Sequence, residues 1–413
     1  MTATPTTDET ELTLIRITGE DKPGVTATLT QVLADHDAFI MDIGQADIHK
    51  TLCLGILFKA LPSSHAEIMK ELLLKAYQLG VNLKFSPVTK EDYTNWVAQQ
   101  GKNRYIVTLI GRELTAKQFT EVTKVIASQK LNIDMIQRLS GRIPLEESER
   151  SSRSCVEFSV RGTPSDLSAI QSKFIELAAT LGIDISFQFD DMYRRSRRLI
   201  CFDMDSTLIE TEVIDELADR AGVGKQVREI TESAMRGEID FCESFTKRVA
   251  LLEGLDVSVM QEIAEKLPVS EGLERLMKIL KLVGFKVAIL SGGFTYFGNY
   301  LKDKYGMDYV FANELEIKAG KLTGKYVGDI VDGRKKAELL KLLAQIEHVN
   351  IAQTIAVGDG ANDLPMLGVA GLGIAYHAKP KVKKNAKQAL SNVGIDGILY
   401  FLGFKDSYVD VEL

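Results

Sequence analysis

The sequence predicts an α/β protein: a parallel-sheet core with an inserted helical cap, preceded by two smaller α+β domains. Three observations carry this. The first half of the chain repeats itself, the second half alternates short apolar strands with helices, and a long helical stretch interrupts that alternation after its first strand.

The repeat is visible residue by residue. Leu12–Gly19 (LTLIRITG) resembles Arg104–Gly111 (RYIVTLIG), and each reads as a strand closed by glycine. Helical spacing follows in both, through Val25, Leu29, Val32 and Leu33 and through Val122, Val125 and Ile126. Alternating residues come next, around Ile40, Met41, Ile43 and around Ile133, Met135, Ile136. A further strand (Leu52–Phe58, Cys155–Val160) leads into a second helix (Ile68–Leu79, Ile170–Leu181). The repeats close on related strands, Leu79–Phe85 and Leu181–Phe187. Each half therefore reads β-α-β-β-α-β, the ferredoxin-like order. The second carries a longer polar insertion, Gly141–Ser154, expected to be an exposed, mobile hairpin tip.

From Leu199 short apolar strands alternate with helices: Leu199–Phe202, Lys286–Leu290, Tyr309–Phe311, Thr354–Val357 and Gly371–Ala375. That is the pattern of a parallel sheet covered on both faces. Residues 203–285, of mostly helical pattern, separate the first two strands, more than a crossover needs, and read as a cap over the site. The expected organisation is a disordered segment 1–11, domains over 12–95 and 103–190, and a core over 199–405 with its cap at about 212–275. Between the halves, the basic run Arg194-Arg195-Ser196-Arg197-Arg198 reads as a solvated linker or strand lead-in rather than a nucleic-acid patch, because it is short and lacks aromatics.

Composition narrows the function classes. The chain has 413 residues, 45% hydrophobic and 26% charged, with a formal net charge of −7, which argues against a general nucleic-acid or anionic-membrane binder. No apolar run reaches the length of a membrane span. Met1–Glu11 lacks the cationic start and apolar stretch of a secretory signal, so the cytoplasm is expected. Cys53, Cys155, Cys201 and Cys242 show no CxxC spacing and read as small buried hydrophobes rather than disulfides or zinc ligands.

In an open parallel sheet, ligands sit beyond the C-terminal strand ends. Three such ends carry polar groups here. The first delivers Asp203 and Asp205, the second Ser291, Gly292 and Gly293, the third Gly358, Asp359, Gly360, Asn362 and Asp363; Lys335 and Lys336 begin a helix between the last two. Asp203, Asp205 and Asp359 can hold a hard cation such as Mg²⁺, which takes oxygen ligands. A carboxylate is also a nucleophile toward phosphorus. A lysine, a hydroxyl and glycine N–H groups suit phosphoryl oxygens. Singly, Asp-x-Asp, Gly-Asp-Gly and Ser-Gly-Gly read as turns and strand exits; their placement at successive strand ends reads as a phosphoryl-transfer site.

Residues 203–207 (DMDST), 291–293 (SGG), 336–340 (KAELL) and 358–363 (GDGAND) resemble the four motifs of the haloacid dehalogenase superfamily, and within it most closely the phosphoserine phosphatases. The resemblance covers about half the chain and implies a Rossmann-like core with a helical cap. It implies that Asp203 attacks phosphorus and that Asp205 protonates the leaving seryl oxygen and then activates water. It implies that Asp203, the Asp205 carbonyl and Asp359 hold Mg²⁺. Ser291, Gly292 and Lys336 would hold the phosphoryl oxygens, Asn362 would contact substrate, Thr207 and Gly293 would support the site, and Asp363 would orient Lys336. The stretch 241–255 (FCESFTKRVALLEGL) is similar to the family cap and puts Arg248 at the substrate carboxylate, with Glu212 at the substrate ammonium and Met235 and Phe241 as shields from water. An Arg and a Glu suit a zwitterion, O-phosphoserine. Read without the resemblance, both are surface helix charges.

The N-terminal repeats resemble ACT domains, amino-acid-sensing modules. Asp21-Lys22-Pro23-Gly24-Val25 matches the strand-to-helix turn of the first, which makes Asp21, Gly24 and Val25 a regulatory site for serine or another amino acid. The second has Arg112-Glu113-Leu114-Thr115 at that turn and lacks the Pro-Gly pair. ACT-like modules imply a homodimer. Two other functions use the same sequence: a phosphotransferase passing the group to an alcohol such as homoserine, and a non-enzymatic amino-acid sensor. A dehalogenase is disfavoured, since it calls for neither a metal nor Asp205 as an acid.

Overall fold

The computed structural model describes residues 10–99, 101, 103–142 and 153–409. The chain forms two compact units, divided after Lys102.

The first unit runs β1 (Glu11–Glu20), α1 (Val25–Asp35), β2 (Phe39–Ile48), β3 (Thr51–Ala60), α2 (Pro62–Leu79), β4 (Asn82–Val88) and α3 (Lys90–Ala98). Its four strands form an antiparallel sheet in the order β2-β3-β1-β4. Ile15 and Ile17 of β1 point inward with Leu54, Ile56 and Phe58 of β3, onto Leu29 of α1 and Ile68 and Leu72 of α2. The other face of this sheet is largely open. Pro62 starts α2 and Gly80, in the left-handed region, ends it.

The second unit opens with the second ferredoxin-like domain: β5 (Arg104–Gly111), α4 (Ala116–Ser128), β6 (Asn132–Arg138), β7 (Ser154–Arg161), α5 (Leu167–Leu181) and β8 (Asp184–Phe189), in sheet order β6-β7-β5-β8. Thr115 and Gln118 form a reciprocal cap on α4. Its central strands are buried on both faces, unlike those of the first domain. The second face is covered by the C-terminal part of the chain. Gln388 accepts from the Phe187 amide at 3.0 Å and donates to its carbonyl at 2.8 Å. Gln188 donates to the Phe401 carbonyl, and the Asp184 carboxylate accepts the amides of Ser391 and Asn392, each at 2.8 Å.

One expectation goes untouched at this junction and another changes. Most of the insertion expected as a hairpin tip, residues 143–152, lies outside the described residues, but both of its ends are tied down. The Gly141 amide donates to Asp406 Oδ2 at 2.7 Å and Arg153 pairs with Asp396. The basic run is not simply a solvated linker. Arg194 and Arg197 are buried, and Arg194 pairs with Glu157 of β7, because the run threads between the domain and the core.

The core follows: β9 (Leu199–Phe202), cap helices α6 (Val213–Arg220), α7 (Gly224–Met235), α8 (Phe241–Ala250) and α9 (Ser258–Ala264), then α10 (Leu273–Leu282), β10 (Lys286–Phe294), α11 (Thr295–Tyr305), β11 (Tyr309–Lys318), β12 (Lys321–Val327), α12 (Gly333–Ile346), β13 (Thr354–Gly358), α13 (Leu364–Val369), β14 (Leu372–Tyr376), α14 (Pro380–Asn385), β15 (Gln388–Leu390) and α15 (Ile398–Phe401). The seven strands lie in the order β12-β11-β10-β9-β13-β14-β15. All neighbours are parallel except β11 and β12. β11 runs well past the three apolar residues that mark it in the sequence and turns back through Ala319 and Gly320, both at positive φ. Cys155 and Cys201 are buried as expected; Cys53 and Cys242 are exposed. No helix among the described residues is long and apolar enough to cross a membrane.

Candidate active site

Strand order builds the site. β9 lies between β10 and β13, so the residues just beyond it, Asp203 and Asp205, face Ser291 on one side and Asp359 on the other. The Asp203 amide donates to the Val357 carbonyl at 2.9 Å, which carries the β9–β13 pairing up to the carboxylate itself. Asp203 Oδ1 accepts the Met204 amide at 2.8 Å and stands 2.8 Å from Lys336 Nζ.

Lys336 has no solvent exposure and lies in the first turn of α12. Its Nζ also reaches Asp363 Oδ1 at 2.7 Å, and Asp363 Oδ2 accepts the Gly360 amide at 2.9 Å. Burial alone would lower the ammonium's pKa; the charges of Asp203 and Asp363 outweigh it and the net shift is upward. Lys336, not its neighbour Lys335, is thus the cation of the cluster. Burial acts on the carboxyls in the opposite sense. Burial, reinforced by Asp203 and Asp363, pushes Asp359 up to about 7, and burial with Asp203 pushes Asp363 up to about 6.

Asp205 sits one residue beyond Met204, with Oδ1 accepting the Val213 amide at the start of α6 at 3.1 Å. Burial, then the charges of Glu212 and Asp203, holds its carboxyl well above the usual carboxylate range. Two carboxyls two residues apart therefore differ in character: Asp203 is paired with a cation, Asp205 is biased toward the protonated acid. Ser206 adopts φ 56°, a strained choice for a residue with a side chain, and donates to Glu212 Oε1 at 2.9 Å. Thr207 donates to Asp359 Oδ1 at 3.3 Å.

On the β10 side, pairing with β11 loses register between Leu290 and Phe294, where Ser291, Gly292 and Gly293 stand. The Gly293 amide donates to Ser291 Oγ at 2.9 Å. A Cβ at Gly293 would lie 2.4 Å from Asp205 Oδ2, and one at Gly292 would lie 2.9 Å from the Phe241 ring, so glycine is required by space at both. Phe241 thus reaches from the cap onto Gly292, whereas Met235 is 65% exposed on the last turn of α7. Asn362 is half-buried beside Gly360 and Gly333.

The cap adds opposite charges. Burial lowers the Arg248 guanidinium's pKa, and the carboxylates of Glu212, Asp215 and Asp205 act against it. Its Nε donates to the Ser244 carbonyl at 3.4 Å. Asp21, Gly24 and Val25 lie in the first unit. There Gly24 (φ 95°) precedes α1, Val25 is buried in the domain core, and the Asp21 amide donates to the Lys50 carbonyl.

Three polar residues that sequence reading passed over border the site. Asn313 of β11 is buried and fixes the glycine turn, donating to the carbonyls of Gly292 and Gly293 and accepting the Val331 amide. Asp215 of α6 has a buried Oδ1 with no hydrogen-bond partner. Ser270 donates to the Thr207 carbonyl at 2.6 Å. None carries a local signal: each gains meaning only from what the fold sets against it.

Asp203, Asp359 and Asp363 bring one carboxylate oxygen each within 4.8 Å of one another. Asp363 is already committed to Lys336 and Gly360, which leaves Asp203 and Asp359 as the carboxylates fit for an oxygen-liganded divalent cation. A positive ion there would relieve the crowding that raises Asp359.

Family models agree with this layout. Residues 11–86 and 104–188 match ACT domains, and residues 197–371 match the haloacid dehalogenase-like hydrolases. Phosphoserine phosphatase of Streptomyces coelicolor is 37% identical over 413 residues, covering 99% of this chain and 96% of the relative. This chain belongs to the phosphoserine phosphatase family. A second family member, from Mycobacterium tuberculosis, is 38% identical over 94% of this chain and 92% of its own. Among solved structures, a probable phosphoserine phosphatase from Vibrio cholerae matches with a TM-score of 0.57 and 34% identity, over 76% of this chain and 90% of that one. A hydrolase of the haloacid dehalogenase family from Salmonella enterica serovar Typhi matches with a TM-score of 0.62 and 29% identity, over 75% of this chain and all of that one. This chain is thus a phosphatase that itself carries two ACT domains.

Proposed function

We propose that the protein hydrolyses O-phospho-L-serine to L-serine and phosphate, the last step of serine biosynthesis, through an aspartyl phosphate on Asp203. The observation that carries the reading is the buried Lys336 held at 2.8 Å from Asp203, beside an Asp205 whose carboxyl favours the protonated form. In the first step a carboxylate oxygen of Asp203 bonds to phosphorus and the bond from phosphorus to the seryl oxygen breaks. Asp205 gives its proton to that oxygen, releasing serine. In the second, Asp205 takes a proton from water as the water oxygen attacks phosphorus and the bond to Asp203 breaks. Phosphate leaves and Asp205 is again an acid. Lys336, the Ser291 hydroxyl and the Gly292 N–H hold the nonbridging oxygens, and Asp363 holds Lys336 in place. Asp203, the Asp205 carbonyl and Asp359 would hold Mg²⁺, which when bound supplies charge that offsets repulsion between the nucleophile and the phosphate.

Arg248 recognises the substrate carboxylate and Glu212 its ammonium, with Asn362 at the substrate and Phe241 and Met235 closing over it. An amino acid such as serine binds the first ACT domain at Asp21, Gly24 and Val25. The protein acts in the cytoplasm as a homodimer. The deciding experiment is phosphate release from a panel of small phosphate esters, with and without Mg²⁺. Phosphoserine preferred over phosphoethanolamine, with Mg²⁺ required, supports the reading. Transfer to added homoserine in place of phosphate release would replace hydrolase with phosphotransferase, and no turnover of any ester would leave the amino-acid sensor.

A further inference from the structure

The cap departs from the core just after the nucleophile loop and returns just before α10. The departing and returning segments are paired: Ile209 bridges Val269, the Glu210 amide donates to the Pro268 carbonyl at 2.9 Å, and the Ser270 amide donates to the Leu208 carbonyl at 3.0 Å. The Ser270 hydroxyl, buried, donates to the Thr207 carbonyl at 2.6 Å, and Thr207 in turn donates to Asp359. The return segment is therefore bonded directly to the loop that carries Asp203 and Asp205.

The next residue, Glu271, is gripped from outside the core. Arg112, immediately after β5 of the second ACT domain, donates through Nη1 and Nη2 to the two Glu271 carboxylate oxygens, at 2.8 and 2.5 Å. Such a fork fixes direction as well as distance. The Glu271 carbonyl accepts the Ile395 amide at 2.8 Å. Following it, Gly272 (φ 82°) lies so close to the buried Asp396 that a Cβ there would stand 2.3 Å from Asp396 Oδ1, and Asp396 is itself paired with Arg153 of the domain and Arg275 of α10. The domain thus holds the return hinge of the cap at two points. In the first ACT domain the residue after the corresponding glycine is Glu20, so the arginine is particular to the second repeat.

We infer that Arg112 is a positioning residue of the phosphatase: by clamping Glu271 it fixes the return hinge of the cap and, through Ser270, the loop bearing Asp203 and Asp205. The turn that in the first repeat leads to Gly24 is here committed to the core's own hinge. The inference rests on the phosphatase reading, and wild-type protein assayed alongside on its best ester separates a failure of that reading from a failure of this one.

The test is a mutant cycle on the full chain with kcat, KM and melting temperature measured together. The pair is partly exposed, so Arg112→Ala and Glu271→Gln should each lower kcat by about two- to five-fold, with KM little changed. The double variant should lose no more than either alone. Arg112→Glu with Glu271→Arg should recover wild-type kcat. Ser270→Ala, nearer the site, should cost more, and adding Arg112→Ala to it should cost nothing further. Raising salt should bring wild-type kcat toward that of Arg112→Ala, whose own kcat should not respond. Unchanged kcat in the folded single variants, additive losses, or melting shifts with no change in kcat would each overturn the assignment and leave the clamp as a stability contact alone.

Discussion

Replacing Lys336 by methionine separates what the buried ammonium does for the fold from what it does for the reaction. The side chain has no exposure and is the shared partner of Asp203 and Asp363, at 2.8 and 2.7 Å. Removing one member of a buried ion pair leaves the other unpaired at about 3–5 kcal/mol. Here two carboxylates lose the same partner, so the upper part of that range applies, set against a total stability of roughly 5–15 kcal/mol. With a guanidinium chloride slope near 4 kcal/mol per molar, about 4 kcal/mol moves the midpoint down by ~1 M. The same change removes a charged donor from the phosphoryl oxygens, which costs about 100- to 1000-fold in kcat. Adding Asp363→Asn to Lys336→Met discharges one orphaned carboxylate and should restore part of the lost midpoint, but none of the activity. The assays are denaturant unfolding in metal-free buffer and steady-state phosphate release. A single variant that unfolds within about 0.2 M of wild type, or keeps kcat within tenfold, would refute the arrangement.

Other expectations are briefer. Asp203→Asn should abolish turnover without moving the melting temperature by more than a few degrees; residual turnover above background removes Asp203 as nucleophile. Arg248→Ala should lower kcat/KM for phosphoserine by ~30-fold or more while changing phosphoethanolamine little, since a buried charged hydrogen bond is worth about 2–3 kcal/mol; equal losses would remove Arg248 from carboxylate recognition. Asp184 has a carboxyl raised to about 6 by burial, against the pull of the Asn392 and Ser391 amides. Its folded form binds the proton more tightly than the unfolded chain does, so its contribution to stability is full below about pH 4 and is lost as pH rises through 6. Relative to Asp184→Asn, wild type should lose melting temperature between pH 4 and 7; a constant difference across that range contradicts the shift.

Much of this was readable in the sequence because it depends on periodicity and strand ends. The ferredoxin-like repeats follow from helix and strand spacing around Ile15, Leu29, Val107 and Val122. The acid cluster follows because a parallel sheet gathers its C-terminal ends, so Asp203, Ser291 and Asp359 meet whatever the intervening chain does. What stayed hidden depends on contacts between distant elements. The run at Arg194 looks solvated until Glu157 is set against it. Asn313 looks like a strand residue until the glycine turn is placed beside it. Ser270 and Glu271 look like a polar loop until they meet Thr207 and Arg112. β12 carries no clear strand signal because its pattern, KLTGKYV, is broken by glycine and by lysines that face solvent on a sheet edge.

The two ACT domains share one strand order but not the same surroundings. The first is a compact unit of its own, divided from the rest after Lys102. The second has surrendered its outer face to Gln388, Phe401 and the segment at Ser391, and shares Glu157 with Arg194. A gene that lost the first could still encode a folded phosphatase from Asn103 onward. One cut back to Leu199 would bare an apolar strand-facing surface, strip Asp396 of Arg153 and leave Gln388 without its partner.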